Sequence, residues 1–161
     1  MLKKTIITTS LLIAATFSVN AADMKTKIEI KKAEENIEVS KAKLISACGN
    51  KSIDFNIDWT NYDSYDYKKL RRTPEQIVRF SGALINKLIE DLSEICSQGE
   101  YADMYKSELT KISKVEITGH KDQETRDASF KLDNEGTTLV IALNASSSYD
   151  SKYSKLLKAL W

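Results

Sequence analysis

The run Trp59-Thr60-Asn61-Tyr62-Asp63-Ser64-Tyr65-Asp66-Tyr67 packs four aromatic rings among short polar side chains, and Arg71 and Arg72 follow closely. Aromatic rings give contact area at small conformational cost, and the short polar groups adapt their hydrogen bonds to a partner. Arginine, with tryptophan and tyrosine, dominates binding hot spots. The chemistry that fits this mixture is recognition of a protein surface, and Trp59, Tyr62, Tyr65, Tyr67, Arg71 and Arg72 are the expected partner-binding residues. The competing use is structural. The tyrosines would then cover the domain while Asp63 and Asp66 form turns or pair with Lys68, Lys69 and the two arginines.

Cys48 and Cys96 are the only cysteines. A single pair in an exported chain is most simply a structural disulfide, and closing so long a loop destabilises the unfolded chain by about 4 kcal/mol in the chain-entropy account. A redox pair would need Cys-x-x-Cys, which is absent. A metal site would need nearby imidazoles, yet the only histidine, His120, sits among Gly119, Lys121 and Asp122 in a turn-like stretch. No metal and no cofactor are therefore expected.

Catalytic motifs are equally sparse. His120 has no nucleophile beside it, and the chain carries no GxSxG elbow, Walker loop, dinucleotide glycine fingerprint or HExxH. Asp54, Asn56 and Asp58 mimic the start of a calcium loop, but Trp59 occupies the position that needs glycine and Tyr65 the position of the bidentate glutamate. Paired carboxylates need only be brought together by the fold, so a small hydrolase of envelope glycans or peptides is the alternative. Asp54, Asp58, Asp63, Asp66, Glu90 and Asp91 are its candidates. The favoured reading is a non-catalytic binding protein that engages another envelope protein, as an inhibitor or immunity-type partner would.

The chain has 161 residues, with 24 Lys and Arg against 23 Asp and Glu, a formal net charge of +1. Nucleic-acid binding needs a large excess of cations to displace counterions from phosphates, and this near-balance provides none. Adhesion to anionic lipid lacks support for the same reason. Lys3 and Lys4, a short apolar stretch over 5–19 and the small residues Val19-Asn20-Ala21 read as a cleaved secretory signal. Thr8, Thr9, Ser10, Thr16 and Ser18 dilute that apolar stretch, and it is too short to span a bilayer comfortably. The expected location is the periplasm or the exterior, with no stable membrane insertion after cleavage.

These groups need elements to position them. Residues 24–47 are rich in Lys and Glu and place Ile30, Ala33, Ile37, Leu44 and Ala47 on one helical stripe, interrupted at Ser40 and Lys41. Cys48-Gly49-Asn50 stops that helix. Ile53, Phe55, Ile57 and Trp59 alternate with polar residues, as in a half-buried strand. Thr73-Pro74-Glu75-Gln76 is a strong helix start. Ile77, Phe80, Leu84, Leu88, Leu92 and Ile95 then recur at helical spacing and predict the central core helix. A shorter helix follows through Tyr105, Leu109 and Ile112.

Beyond this the period changes. Val115 and Ile117, then Ala128, Phe130 and Leu132, then Leu139, Ile141 and Leu143 predict three strands, the last two joined by a turn at Asp133-Asn134-Glu135-Gly136. Tyr149, Tyr153, Leu156, Leu157 and Leu160 predict a closing helix. The expected organisation is a signal peptide over 1–21, a charged helical segment over 22–47, and one globular domain over 48–161. The expected fold class is α+β, with an antiparallel sheet of three to four strands on a long central helix, flanking helices and one disulfide.

Overall fold

The computed structural model describes residues 17–50, 52–60, 65, 67–119 and 125–161, with side chains from Met24 onward except that of Tyr67. The expected signal segment, apart from the backbone of 17–21, lies outside the described residues, as do Tyr62 and His120. The elements are α1 (Phe17–Cys48), β1 (Asp54–Ile57), α2 (Tyr67–Leu70), α3 (Pro74–Ser97), α4 (Ala102–Leu109), β2 (Lys114–Gly119), β3 (Ser129–Asp133), β4 (Thr138–Leu143) and α5 (Lys152–Lys158). The chain adopts an α+β fold with a four-stranded sheet.

On α1, Ala33, Ile37, Ser40, Leu44 and Cys48 are buried at spacings of three and four, which forms one face against α3. Ser40 does not break that face, because its Oγ donates to Asn86 Oδ1 at 2.5 Å and the polar interruption is satisfied across the helix pair. The two helices approach tightly at Ala33 and Gly82. A Cβ built on Gly82 would lie 2.6 Å from that of Ala33, so only the absent side chain permits the approach. Gly49, at φ 73°, ends α1 in the left-handed conformation, and its N–H donates to the Ile45 carbonyl at 2.9 Å.

The Cys48–Cys96 disulfide, with a Cα–Cα separation of 5.1 Å, then fastens the end of α1 to the end of α3. Buried Asn50 ties the same junction to α4, donating to the carbonyls of Leu109 at 2.9 Å and Ile112 at 2.6 Å. Helix α3 begins as its sequence requires: Pro74 sits at the first turn, and Gln76 Oε1 accepts the Thr73 N–H at 3.0 Å. Its 24 residues touch α1, α4 and α5. Ile85, Leu88, Leu92 and Ile95 share one core with Val115, Ile117, Leu139 and Ile141 of the sheet, and with Tyr153 and Leu157 of α5.

The sheet is mixed, in the order β1-β2-β4-β3, which corrects the expected antiparallel arrangement. β1 and β2 are parallel, β2 and β4 are parallel, and only β3 with β4 is antiparallel. Connection length explains the difference. A tight turn through Asn134, Glu135 and Gly136, all at positive φ, forces β4 back alongside β3. β1 reaches β2 through three helices, a crossover long enough to permit parallel pairing. β4 lies between β2 and β3, and accordingly Thr138, Leu139, Val140, Ile141 and Leu143 are all buried, the continuous pattern of an interior strand. β1 and β3 alternate exposed with half-buried residues, as edge strands do.

Candidate binding groove

The expected partner-binding residues are dispersed onto different neighbours. Trp59 is half-buried against the core, and its indole N–H donates to Glu34 Oε1 on α1 at 3.1 Å. Tyr65 is only 8% exposed and packs with Ile77, Val78 and Ala145. Burial raises the pKa of its hydroxyl, an effect offset in part by a backbone hydrogen bond with Ala145. The backbone of Tyr67 opens α2. Arg71 is exposed at φ 52°, and Arg72 donates from Nη1 to the Ala145 carbonyl at 3.2 Å. Tyr65 and Arg72 therefore dock this segment onto the chain that leaves β4.

That docking builds a groove. Arg72, Phe80, Ala83 and Leu84 form one side, and the loop Ser146, Ser147, Ser148 and Tyr149 the other, around a cavity of about 280 Å³. The loop is held from beneath by Asn144, which is almost wholly buried. Its amide donates to the Thr125 carbonyl, and its Oδ1 accepts the Ser146 N–H at 2.8 Å. Its own N–H donates to Ser147 Oγ at 3.0 Å. A loop with its backbone groups satisfied in this way presents a fixed wall.

Phe80 and Tyr149 are the aromatic members, at 47% and 42% exposure. Both depart from the sequence expectation, which placed them on buried stripes of the central and closing helices. Arg72 and Arg79 lie over the Phe80 ring, with guanidinium carbons 5.1 and 5.4 Å from its centroid. Tyr149 precedes α5, meets Tyr153 edge-on at 6.2 Å between centroids, and donates its hydroxyl to Asp91 Oδ1 at 3.3 Å. On α3, Phe80, Leu84, Lys87 and Asp91 form a single line facing this loop.

The acids nearest the groove converge on a cation. Lys87 Nζ lies 3.3 Å from Asp91, 3.8 Å from Glu90 and 3.9 Å from Glu94, and 5.7 Å from the Tyr149 ring centroid. Burial pulls the Lys87 ammonium down, but the Asp91 carboxylate, helped by Glu94 and Tyr149, outweighs it and leaves its pKa raised. Tyr149 is raised by burial first and then by Asp91. Asp91 is 2% exposed, and its Oδ2 has no hydrogen-bond partner. Of the other hydrolase candidates, Asp58 caps a local turn at Thr60 and Asp54 is exposed on an edge strand. Asp63 and Asp66 lie outside the described residues. Among the described residues no cluster of His, Cys, Asp and Glu is arranged to hold a metal ion, and no helix is long and apolar enough to cross a membrane.

A second open cleft, of about 360 Å³, runs between α1 and α3 and is lined by Glu29, Lys32, Asn36, Arg79 and Asn86 beside the Ala33–Gly82 contact. Ala83 borders both clefts, which lie on either side of the exposed surface of α3. No protein-family model matches this chain, and neither does any curated protein or solved structure.

Sequence reasoning anticipated Arg72 in this site but not Phe80, Arg79, Tyr149 or the serines. A signal for Phe80 exists. Val78, Ile85, Ile89 and Cys96 extend the buried stripe of α3 in one direction only, which leaves Phe80 about 110° from the stripe's centre at 3.6 residues per turn.

Proposed function

We propose that this chain is a small exported, non-catalytic binding protein of the bacterial cell envelope. It acts as an inhibitor or immunity-type partner and holds its target in the groove between Arg72, Phe80 and Tyr149. The observation that carries this reading is the exposure of Phe80 and Tyr149 beside Arg72 in a groove whose serine wall is braced by buried Asn144, with the Arg79 guanidinium also close to the Phe80 ring. Exposed aromatic and arginine side chains on a rigid frame are the usual anchors of protein interfaces. Tyr65 packs with Ala145, whose carbonyl accepts from Arg72, so its place in this reading is structural. The Cys48–Cys96 bridge is compatible with an oxidising, extracytoplasmic compartment and supports the exported half of the reading.

The test is capture from an envelope extract by the purified protein, with Phe80→Ser/Tyr149→Ser as the comparison. Capture of a defined partner should fall at least tenfold while the thermal melt stays within a few degrees. A variant that folds and still captures the same partner equally well removes the groove from the proposal. Export is tested separately: the native protein should begin near Ala22 and bind no thiol reagent, and a Met1 start with two reactive thiols refutes it.

A further inference from the structure

We infer that the groove takes an acidic protein segment, whose carboxylate sits between Arg72 and Arg79 while an adjoining apolar side chain lies on Phe80, Ala83 and Leu84. This rests on the binding reading above and names the chemistry of its partner. Both guanidiniums approach one phenyl ring, at 5.1 and 5.4 Å, and neither forms an ion pair within the described residues. Two like charges gathered on one ring repel each other, and a carboxylate placed between them turns that repulsion into two charge-assisted contacts. The Arg72 guanidinium is already oriented by its bond to the Ala145 carbonyl, so little freedom is lost on binding.

The charge along α3 favours a protein segment over a polyanion. Its N-terminal end carries Arg79, with Arg72 just before the helix, and its other end carries Glu90, Asp91 and Glu94 around the single Lys87. Arg79 and Glu90 are separated by eleven residues, about 16 Å along the helix axis. A uniformly anionic glycan, lipid surface or nucleic acid laid along α3 would meet net negative charge at the far end of the helix. A segment that is acidic at one end, apolar in the middle and basic at the other matches both ends. The near-balance of 24 basic and 23 acidic residues likewise provides no wide basic field for a polyanion.

The probe is the peptide acetyl-Glu-Leu-Phe-Ala-Lys-amide, titrated into isotope-labelled protein while the arginine side-chain N–H signals are followed by NMR. The signals of Arg72 and Arg79 should shift together, and the analogue with Gln in place of Glu should bind at least tenfold more weakly. Arg72→Gln/Arg79→Gln should abolish that tenfold difference while the thermal melt stays within a few degrees. Equal binding of the Glu and Gln peptides, or no shift at either arginine up to about 10 mM peptide, overturns the inference. Tighter capture by phosphatidylglycerol vesicles or by polyphosphate than by the peptide also overturns it. If the acid preference fails while Phe80→Ser/Tyr149→Ser still loses the partner, the binding reading stands alone; if that variant keeps the partner, the binding reading itself falls.

Discussion

Helix α3 has two faces made under different constraints. The inner one, through Ile77, Ile85, Leu88, Leu92 and Ile95, is sealed by α1, the sheet and α5. The outer one carries Arg79, Phe80, Ala83 and Lys87 and remains open between α1 and the serine loop. Each inner side chain is fixed by close packing, so a change there is felt by the whole domain. Arg79 and Phe80, by contrast, are held by ring contacts alone and are available for something else. Stability and recognition are thus assigned to opposite sides of one helix.

The largest way to disturb the inner side is to cut its covalent tie. Replacing both cysteines, Cys48→Ser/Cys96→Ser, frees a loop spanning 48 residues of sequence separation. The expected loss is about 4 kcal/mol in the chain-entropy account, comparable with the whole net stability of a small domain. Urea unfolding with and without reductant checks this. A midpoint that does not move would mean that core packing alone holds α1 and α3 together.

A smaller disturbance acts where those helices nearly touch. Gly82→Ala gains helix propensity, but its Cβ meets Ala33 at 2.6 Å and must push α1 away, so a net loss of about 2 kcal/mol is expected. Ala33→Gly/Gly82→Ala should recover most of that loss in a double-mutant cycle of chemical denaturations. Without such recovery, the contact does not set the helix spacing.

The two faces also differed in how well the sequence disclosed them. The inner face was legible because Ile, Leu and Val at helical spacing have one efficient use, and a lone cysteine pair has few others. Phe80 and Tyr149 obeyed the same spacing, yet what covers a ring depends on neighbours that periodicity does not reveal. The strands were legible from alternation and from the Asn134–Gly136 turn, but their order was not. Whether β2 pairs with β3 or β4 is set by contacts between residues distant in the chain, which no local pattern records. At Tyr65 the limit is related: the side chain is amphipathic, and only the packing of Ala145, Ile77 and Val78 around it distinguishes a core ring from a contact ring.

Alkaline pH separates the faces more gently. Tyr65 and Tyr149 both have pKa values raised above 10.0, and Lys87 above 10.5. A raised folded-state pKa contributes stability that is fully present below the unfolded value and is lost as pH rises through the folded one. Urea midpoints should therefore be flat up to about pH 9.5 and fall beyond it. Tyr65→Phe should flatten that decline more than Tyr149→Phe, because Tyr65 is 8% exposed and Tyr149 42%. The opposite ranking would place the outer tyrosine in the tighter environment.

The smallest effect on stability is expected where the proposed effect on binding is greatest. Phe80 covers no core residue completely, and Arg72 and Arg79 reach it from the rim. Phe80→Ser removes two cation–aromatic contacts and some half-exposed apolar area, which together should cost under about 1 kcal/mol, a shift of a few degrees in Tm. Leu88→Ala, two turns further along the same helix but fully buried, should cost about 3 kcal/mol. The ratio of these two losses, measured by calorimetry under one set of conditions, is the sharpest gauge of the two-faced helix. If Phe80→Ser costs as much as Leu88→Ala, the ring is part of the core, the serine loop closes over it in solution, and the groove is not open to a partner.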